Sequence, residues 1–419
     1  MFLGVVADDI TGATDLCLML SREGMRVIQI MGIPEGPMPD ADAVVIALKS
    51  RSIPAEEAVA LSVKAAHALR AAGASQILFK YCSTFDSIDR GNIGPVAEAL
   101  MGLLGTEITI ACPSFPGAGR TTYKGHLFVG DSLLSDSPLK DHPLNPMHDS
   151  NLQRVLQRQT ALPVGLIDIT TIRQGVDAVK AALSERRASG KAIVIVDTLA
   201  DADLVTLGAA CADLALVTGG SGIGMGLAVH ARKSGRFTPQ SRDARMSAPA
   251  GRAAILAGSC SVATLGQIAH ARAAGLPSLP LDTMAIAQGH QTAAEIAAWA
   301  IAQPADAIPL VYSSAGPDEL RAVQARLGQH QAGILVENTL GEVARLLQQA
   351  GFARFIIAGG ETSGAVVAAL GVTTLEIGPE IDPGVPWTRS IGGDKLALAL
   401  KSGNFGAEDF FLKAWALLQ

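Results

Sequence analysis

The chain has 419 residues, more than one hydrophobic core ordinarily serves, so two domains are expected. Ala, Leu and Gly dominate while Trp and Tyr number 3 each, a composition suited to closely packed α/β layers. A formal net charge of −6 argues against a nucleic-acid partner, which needs a basic face, but a local Lys or Arg cluster can still hold a small acid.

The N-terminus has no basic leader, and Asp8 and Asp9 break its apolar run before it reaches the length of a signal peptide or membrane span. No membrane association and a cytoplasmic location are expected. The five cysteines, Cys17, Cys82, Cys112, Cys211 and Cys260, show no CxxC spacing, so they predict reduced thiols rather than a zinc site or disulfide framework.

In chain order, β-branched runs at Leu3–Val6, Val44–Leu48, Ile77–Phe79, Ile108–Ala111, Ile193–Val196 and Leu214–Val217 alternate with Ala/Leu-rich stretches. That rhythm predicts parallel strands with crossover helices. It stops in the polar stretch from Gly235 to Gly251, read as the interdomain connection, and resumes at Ala253–Ala257, Leu310–Tyr312, Ile334–Val336, Phe355–Ala358 and Thr374–Ile377. The fold class expected is α/β: two Rossmann-like domains with mostly parallel sheets and a cleft between them. The stretch Asp131–Ser150, with 3 prolines and 6 Asp or His residues, reads as a long ordered loop.

Ligands of open α/β sheets bind at the C-terminal tips of strands, and several tips here carry polar groups. The first ends in GVVADDITGATD, Gly4–Asp15. If strand geometry persists, Asp8 and Asp9 point to opposite sides, one toward a ligand and one capping the helix that follows. The next tip offers Arg51 and Ser52. A third, FKYCSTFDS at Phe79–Ser87, gathers Lys80, Ser83, Thr84 and Asp86, a cation, hydroxyls and a carboxylate that suit a polyhydroxy acid. Lys80 is expected to meet the acid's carboxylate and Asp86 its hydroxyls.

VTGGSGIGMG at Val217–Gly226 resembles a dinucleotide loop and raises a dehydrogenase as the rival reading. Its glycine spacing is one residue short, it lies mid-chain, and no YxxxK pair surrounds Tyr81, Tyr123 or Tyr312, so a tight strand-to-helix turn is expected, with Gly220 and Ser221 as secondary contacts. His126, His142 and His148 do not make a metal set, and no protein-held metal is expected.

The second half carries GSCS with Gly258 and Ser259, then AGGETSGA at Ala358–Ala365, then LKSGNFG at Leu400–Gly406. Paired glycines that run into hydroxyls and a helix build a phosphate cradle, with Gly359, Gly360, Thr362 and Ser363 in place. The last run is too polar for a core position and supplies Lys401, expected to be a mobile cation for phosphate. A Walker A sequence is absent, so the nucleotide site these loops predict is not a P-loop. A non-catalytic two-domain binding protein is the third alternative.

With these motifs assembled, the chain resembles the four-carbon acid sugar kinases, in their 3-oxo-tetronate kinase branch, over essentially its whole length. The resemblance rests on GVVADDITGATD, LKSRS at Leu48–Ser52, FKYCSTFDS, LVTGGSG at Leu216–Gly222, GSCS, AGGETSG, IDPGVPW at Ile381–Trp387 and LALKSGNFG at Leu398–Gly406. It implies an acid-sugar-binding domain over 1–235, a connection over 236–251 and an ATP-binding domain over 252–419. It also implies ATP contacts at Ser259, the Gly360–Ser363 run and Gly403. Glu361 stands where many relatives of the wider family carry Asp, as expected for this branch. The implied reaction moves the ATP γ-phosphoryl group, with the Mg²⁺ that accompanies it, to the C4 hydroxyl of a 3-dehydro four-carbon acid. Asp9 is the first candidate for the catalytic carboxylate and Asp86 the second, while the oligomeric state, homo-oligomer included, is left open.

Overall fold

A computed structural model describes residues 1–141, 145–241, 244–313, 326 and 328–419. The chain forms two compact units, Met1–Ser241 and Arg242–Gln419. Among the described residues, no helix is long and apolar enough to cross a membrane.

The first unit is built on eight strands: β1 (Leu3–Ala7), β2 (Val27–Met31), β3 (Ala43–Ala47), β4 (Gln76–Lys80), β5 (Thr109–Cys112), then β9 (Val164–Ile167), β10 (Ile193–Val196) and β11 (Leu216–Gly219). A separate antiparallel ribbon holds β6 (Arg120–Tyr123), β7 (His126–Val129) and β8 (Ser132–Leu133). The main sheet runs β2-β3-β1-β4-β11-β5-β10-β9, all parallel. Helices cover both faces, so its strands are continuous apolar runs rather than alternating ones, and every residue of β1, β3 and β4 is buried. The core joins Val6, Ile46, Ile77 and Phe79 to Leu69 and Leu100 of the helices Ala55–Ala71 and Ile93–Leu104.

Register decides where the chemistry falls. Ala7 pairs with Ala47 and Lys80, Lys80 with Gly219, and Gly219 with Cys112, so four strands end level with β1. The chain builds β1, β2 and β3 to one side and then crosses to β4 on the other. The crevice outside β1 and β4 is therefore a topological switch point, where open α/β sheets place ligands.

The second unit orders its strands β13-β14-β12-β15-β18-β17-β16, numbered along the chain as β12 (Arg252–Ala257), β13 (Ser278–Pro280), β14 (Leu310–Tyr312), β15 (Phe352–Ala358), β16 (Thr374–Asp382), β17 (Val385–Ser390) and β18 (Ala397–Lys401). The pairs β13–β14, β14–β12, β12–β15 and β15–β18 are parallel, whereas β18–β17 and β17–β16 are antiparallel. Trp387, Phe410 and Phe411 pack with Ile255 and Ile356 in its core, and the Trp387 indole N–H is satisfied by the Ala414 carbonyl at 2.8 Å.

Two expectations change. Ile334–Val336 is not a strand but part of the helix Gln329–Gln349, whose buried Leu340, Val343, Ala344 and Leu347 recur at helical spacing. The long loop contains β8, which pairs Leu133 with Phe128. The expected connection is pinned at both ends: the Gln240 amide donates to the Gly24 carbonyl at 2.9 Å, and the Met246 amide to the Leu417 carbonyl at 2.9 Å. His142 lies outside the described residues; His148 is exposed, and the His126 ring bonds the Lys124 carbonyl and Asn151 in the ribbon.

Candidate functional site

Two clusters of strand tips gather the candidate residues, one in each unit. In the first, Asp8 and Asp9 do not diverge as alternation predicts. The Arg51 guanidinium draws both together, donating from Nε and Nη2 to Asp8 at 2.9 and 2.8 Å and from Nη2 to Asp9 Oδ1 at 2.7 Å. Asp9 already sits at the N-cap, where the strand has ended, so the two-residue repeat no longer governs its direction. It makes no side-chain cap bond; its Oδ2 accepts from Thr11 Oγ1 at 3.1 Å.

The two carboxylates differ electrically. Burial pushes the Asp8 carboxyl up, and the paired Arg51 does not fully offset it. Burial also acts to raise Asp9, but Arg51 and Lys80 together overcome it and hold the carboxyl below its ordinary range. Asp9 is also the more reachable, its side chain 22% exposed against 8% for Asp8. An ionised, reachable carboxylate at a strand tip can accept a hydroxyl proton.

Lys80 is 3% exposed and donates to the Tyr81 carbonyl at 3.0 Å. Its ammonium acts first on the protein's own Asp9 and Asp15 rather than standing open for a ligand. Gly12 is required beside it: a Cβ there would lie 2.2 Å from Asp9 Oδ1 and 2.7 Å from Lys80 Nζ. Farther along the FKYCSTFDS tip, Thr84 Oγ1 donates to Asp86 Oδ1 at 2.7 Å and meets Cys82 Sγ at 2.8 Å. Ser83 and Asp86 are partly exposed while Thr84 is buried. Phe85 turns the loop with φ at 54, in the left-handed region, locked by its edge contact with Tyr81 at 5.5 Å. Ser52 is exposed and accepts from Asn145 at 3.4 Å.

Gly220 and Ser221 are not open contacts. A Cβ on Gly220 would meet the Pro113 carbonyl oxygen at 2.6 Å, and Ser221 Oγ donates to Asp15 Oδ2 at 2.5 Å inside the protein. Val217–Gly226 is thus a packed turn, as its spacing predicts.

Asn92 carries a role that no sequence signal marked. Its Nδ2 donates to the carbonyls of Ser50, Arg51 and Ile53 at 2.6, 3.1 and 3.0 Å, fixing the turn that presents Arg51. Asn92→Leu removes the donor from all three, and is expected to cost about 1–3 kcal/mol of stability and to weaken acid binding. Denaturant midpoints and the KM for the acid check this; unchanged values for both would show the turn holds itself.

In the second unit, the tips of β12, β15 and β18 converge. The amides of Gly258 and Ser259 donate to the Ala358 carbonyl at 2.9 and 3.2 Å, and the Gly359 amide to the Lys401 carbonyl at 2.8 Å. Gly359 has φ at +127, a conformation only glycine adopts readily, and it opens the helix Gly360–Ala369. Gly360 and Glu361 are exposed at that helix start; Thr362 fills the notch over Gly258 and Gly359. Ser363 lies behind the tip, its amide bonded to the Gly359 carbonyl at 2.8 Å and its buried hydroxyl without a partner among the described residues.

Lys401 is not a mobile cation. It is fully buried as the last residue of β18, a position that polarity alone argued against. Its Nζ donates to Thr264 Oγ1, the Ser402 carbonyl and the Gly403 carbonyl at 3.0, 3.0 and 2.9 Å. Ser261, the N-cap of the helix Val262–Ala273, and Thr264 and Gln267 on that helix, spaced by three, hold the same loop, and that polar stripe leading into an Ala-rich helix was the signal available to find them.

Three glycine-bearing tips that meet at the start of a helix fit a polyphosphate, and the carboxylate–guanidinium cluster fits a small hydroxy acid. Comparison with known proteins agrees. A sugar-binding N-terminal domain model matches residues 3–227 and a nucleotide-binding C-terminal domain model matches residues 254–411. The chain is 54% identical to a 3-oxo-tetronate kinase of Pseudomonas fluorescens over 98% of its own length and 96% of that protein, and 53% identical to one of Burkholderia multivorans over the same shares. A crystal structure from Salmonella typhimurium LT2, described as a tRNA synthase, superposes with a TM-score of 0.87 at 42% identity, covering 100% of this chain and 99% of that one. The chain belongs to the four-carbon acid sugar kinase family, in its 3-oxo-tetronate kinase branch.

Proposed function

We propose that the chain phosphorylates the C4 hydroxyl of a 3-oxo-tetronate with ATP, giving the 4-phosphate and ADP. The observation that carries this reading is the Asp8–Asp9–Arg51 cluster at the switch point of a domain whose relatives are 3-oxo-tetronate kinases. In the first unit, Arg51 has Nη1 outside its three carboxylate bonds, and with Ser52, Ser83 and Thr84 it would orient the acid. Asp9 would take the proton as the C4 oxygen attacks phosphorus; the new O–P bond forms as the bond to the β-phosphate oxygen breaks, leaving ADP. Asp8, tied bidentately to Arg51, positions that guanidinium; Asp86 would receive the acid's C2 hydroxyl.

In the second unit, Ser259, Gly360, Glu361, Thr362, Ser363, Lys401 and Gly403 form the set assigned to ATP. The convergence of three tips supports it, with Ser363 and Lys401 acting from behind the loops they brace. Mg²⁺ would arrive on the nucleotide and neutralise β- and γ-phosphate oxygens; among the described residues no cluster of three His, Cys, Asp or Glu could hold a metal ion by itself. Cytoplasmic work on small molecules, with neither nucleic acid nor membrane as partner, completes the proposal.

An assay that couples ADP release to a panel of four-carbon acids tests it. Turnover is expected with a 3-oxo acid and to require both ATP and Mg²⁺. No turnover with any 3-oxo acid would overturn the substrate assignment.

A further inference from the structure

We propose that Lys401 is a positioning residue that aims the backbone amides of Gly403 and Asn404 at the nucleotide phosphates, acting through the loop rather than by touching phosphate. The inference rests on the reading that the second unit binds ATP, and it follows from which way each peptide of the loop faces.

The carbonyls of the loop are turned inward. The Gly403 oxygen accepts from Ser261 Oγ at 2.6 Å, Thr264 Oγ1 at 2.9 Å and Lys401 Nζ at 2.9 Å. The Ser402 oxygen accepts from the same ammonium at 3.0 Å. Farther on, Gln267 Nε2 donates to the carbonyls of Phe405, Gly406 and Ala407 at 3.0, 2.9 and 3.1 Å. Among the described residues there are no cis peptide bonds, so each N–H points opposite to the carbonyl of its own peptide plane. Holding the Ser402 and Gly403 carbonyls inward therefore turns the Gly403 and Asn404 amides outward. Among the described residues, no hydrogen bond engages either of these amides. Two successive outward N–H groups make an anion-binding concavity, beside Ser259 and the Gly359 tip.

Among the described residues the ammonium is the one cation in this arrangement, and it sits where a charge is costly. Burial pulls its pKa down to about 7, with no charged group among the described residues acting on it. The groups that face it, Thr264 from the helix Val262–Ala273 and the Ser402 and Gly403 carbonyls of its own loop, are neutral. Below that pKa the ammonium donates to all three oxygens; above it the amine has only two N–H groups. A polyphosphate on the outward amides favours the charged form, so binding takes up a proton once the free residue is neutral. Nucleotide affinity then weakens as pH rises.

The test is calorimetric titration of the full chain with a non-hydrolysable ATP analogue between about pH 6 and about pH 9, beside the KM for the acid. Lys401→Met is expected to weaken nucleotide binding about tenfold or more at the acid end and less at the alkaline end, where the wild-type amine is already neutral. Taking the ratio of variant to wild type cancels the analogue's own titration. The KM for the acid should stay within about twofold, a split that general destabilisation does not produce. Should Lys401→Met fail to fold, Thr264→Val, which removes one partner of the ammonium and one donor to Gly403, is expected to give the same split. Equal nucleotide affinity, or a pH-independent ratio, in a folded variant overturns the proposal. A wild type that binds no nucleotide at all would instead overturn the ATP reading on which it rests.

Discussion

Asp9→Asn is expected to leave the protein folded and able to bind ATP while turnover falls about 10²- to 10⁴-fold, the usual worth of a positioned general base. The amide matches the carboxylate in shape, and its oxygen can still accept from Arg51 Nη2, now 2.7 Å away. Arg51 also keeps its bidentate bond to Asp8, so its charge is not stranded. What the variant loses is the ability to take a proton. In the wild type, Arg51 and Lys80 outweigh burial and hold Asp9 below the ordinary carboxylate range, so it is fully ionised at neutral pH. Turnover that depends on this carboxylate is lost only as pH falls through its depressed pKa, below the usual value of about 3.9, and the wild-type rate should be flat across mildly acid pH as far as Asp9 governs it. Steady-state kinetics across pH, with nucleotide affinity measured separately, checks both statements. Turnover within a few-fold of wild type would make Asp9 structural and move the role to Asp86.

The strand tips were legible because a parallel sheet buried on both faces must be written as apolar runs, and each run must end where polar residues begin. Leu3–Val6 into Asp8, Ile77–Phe79 into Lys80 and Phe355–Ala358 into Gly359 all follow that rule. Ile334–Val336 misled because three apolar residues in a row fit either period, and only the buried set farther along the same helix decides between them. The antiparallel strands β17 and β18 break the alternation of strand and helix and so gave no rhythm to read. Arg51 and Asn92 lie 41 residues apart and meet only through tertiary structure, and nothing local to either marks the pairing. Lys401 was misplaced for a subtler reason. A lysine beside Ser, Gly and Asn reads as surface, yet its charge here is matched by carbonyl and hydroxyl oxygens that the loop itself and one helix face supply.

Gly403→Val should weaken nucleotide binding about a hundredfold or more while the acid's affinity for the first unit stays nearly unchanged. The penalty is steric. Gly403 is not among the glycines with positive φ, so its backbone suits any residue, but a Cβ placed on it would lie 2.3 Å from Ser259 Oγ, 3.0 Å from Ser261 Oγ and 3.2 Å from Ser261 Cβ. Those atoms belong to the tip of β12, and Ser261 Oγ is itself fixed, donating to the Gly403 carbonyl at 2.6 Å. Turning Ser259 Oγ aside relieves only the nearest contact; Ser261, tied to the Gly403 carbonyl, still crowds the valine, so the loop must withdraw, and that motion takes the Gly403 carbonyl off Ser261, Thr264 and Lys401 together. The amides they orient then lose their aim. Gly403→Ala places the same Cβ without the two methyls, so it should fall between wild type and Val, and a graded series separates crowding from unfolding. Titration of each variant with an ATP analogue and, separately, with the acid reads both halves of the expectation. Undiminished nucleotide affinity in a folded Gly403→Val protein would place this loop outside the nucleotide site.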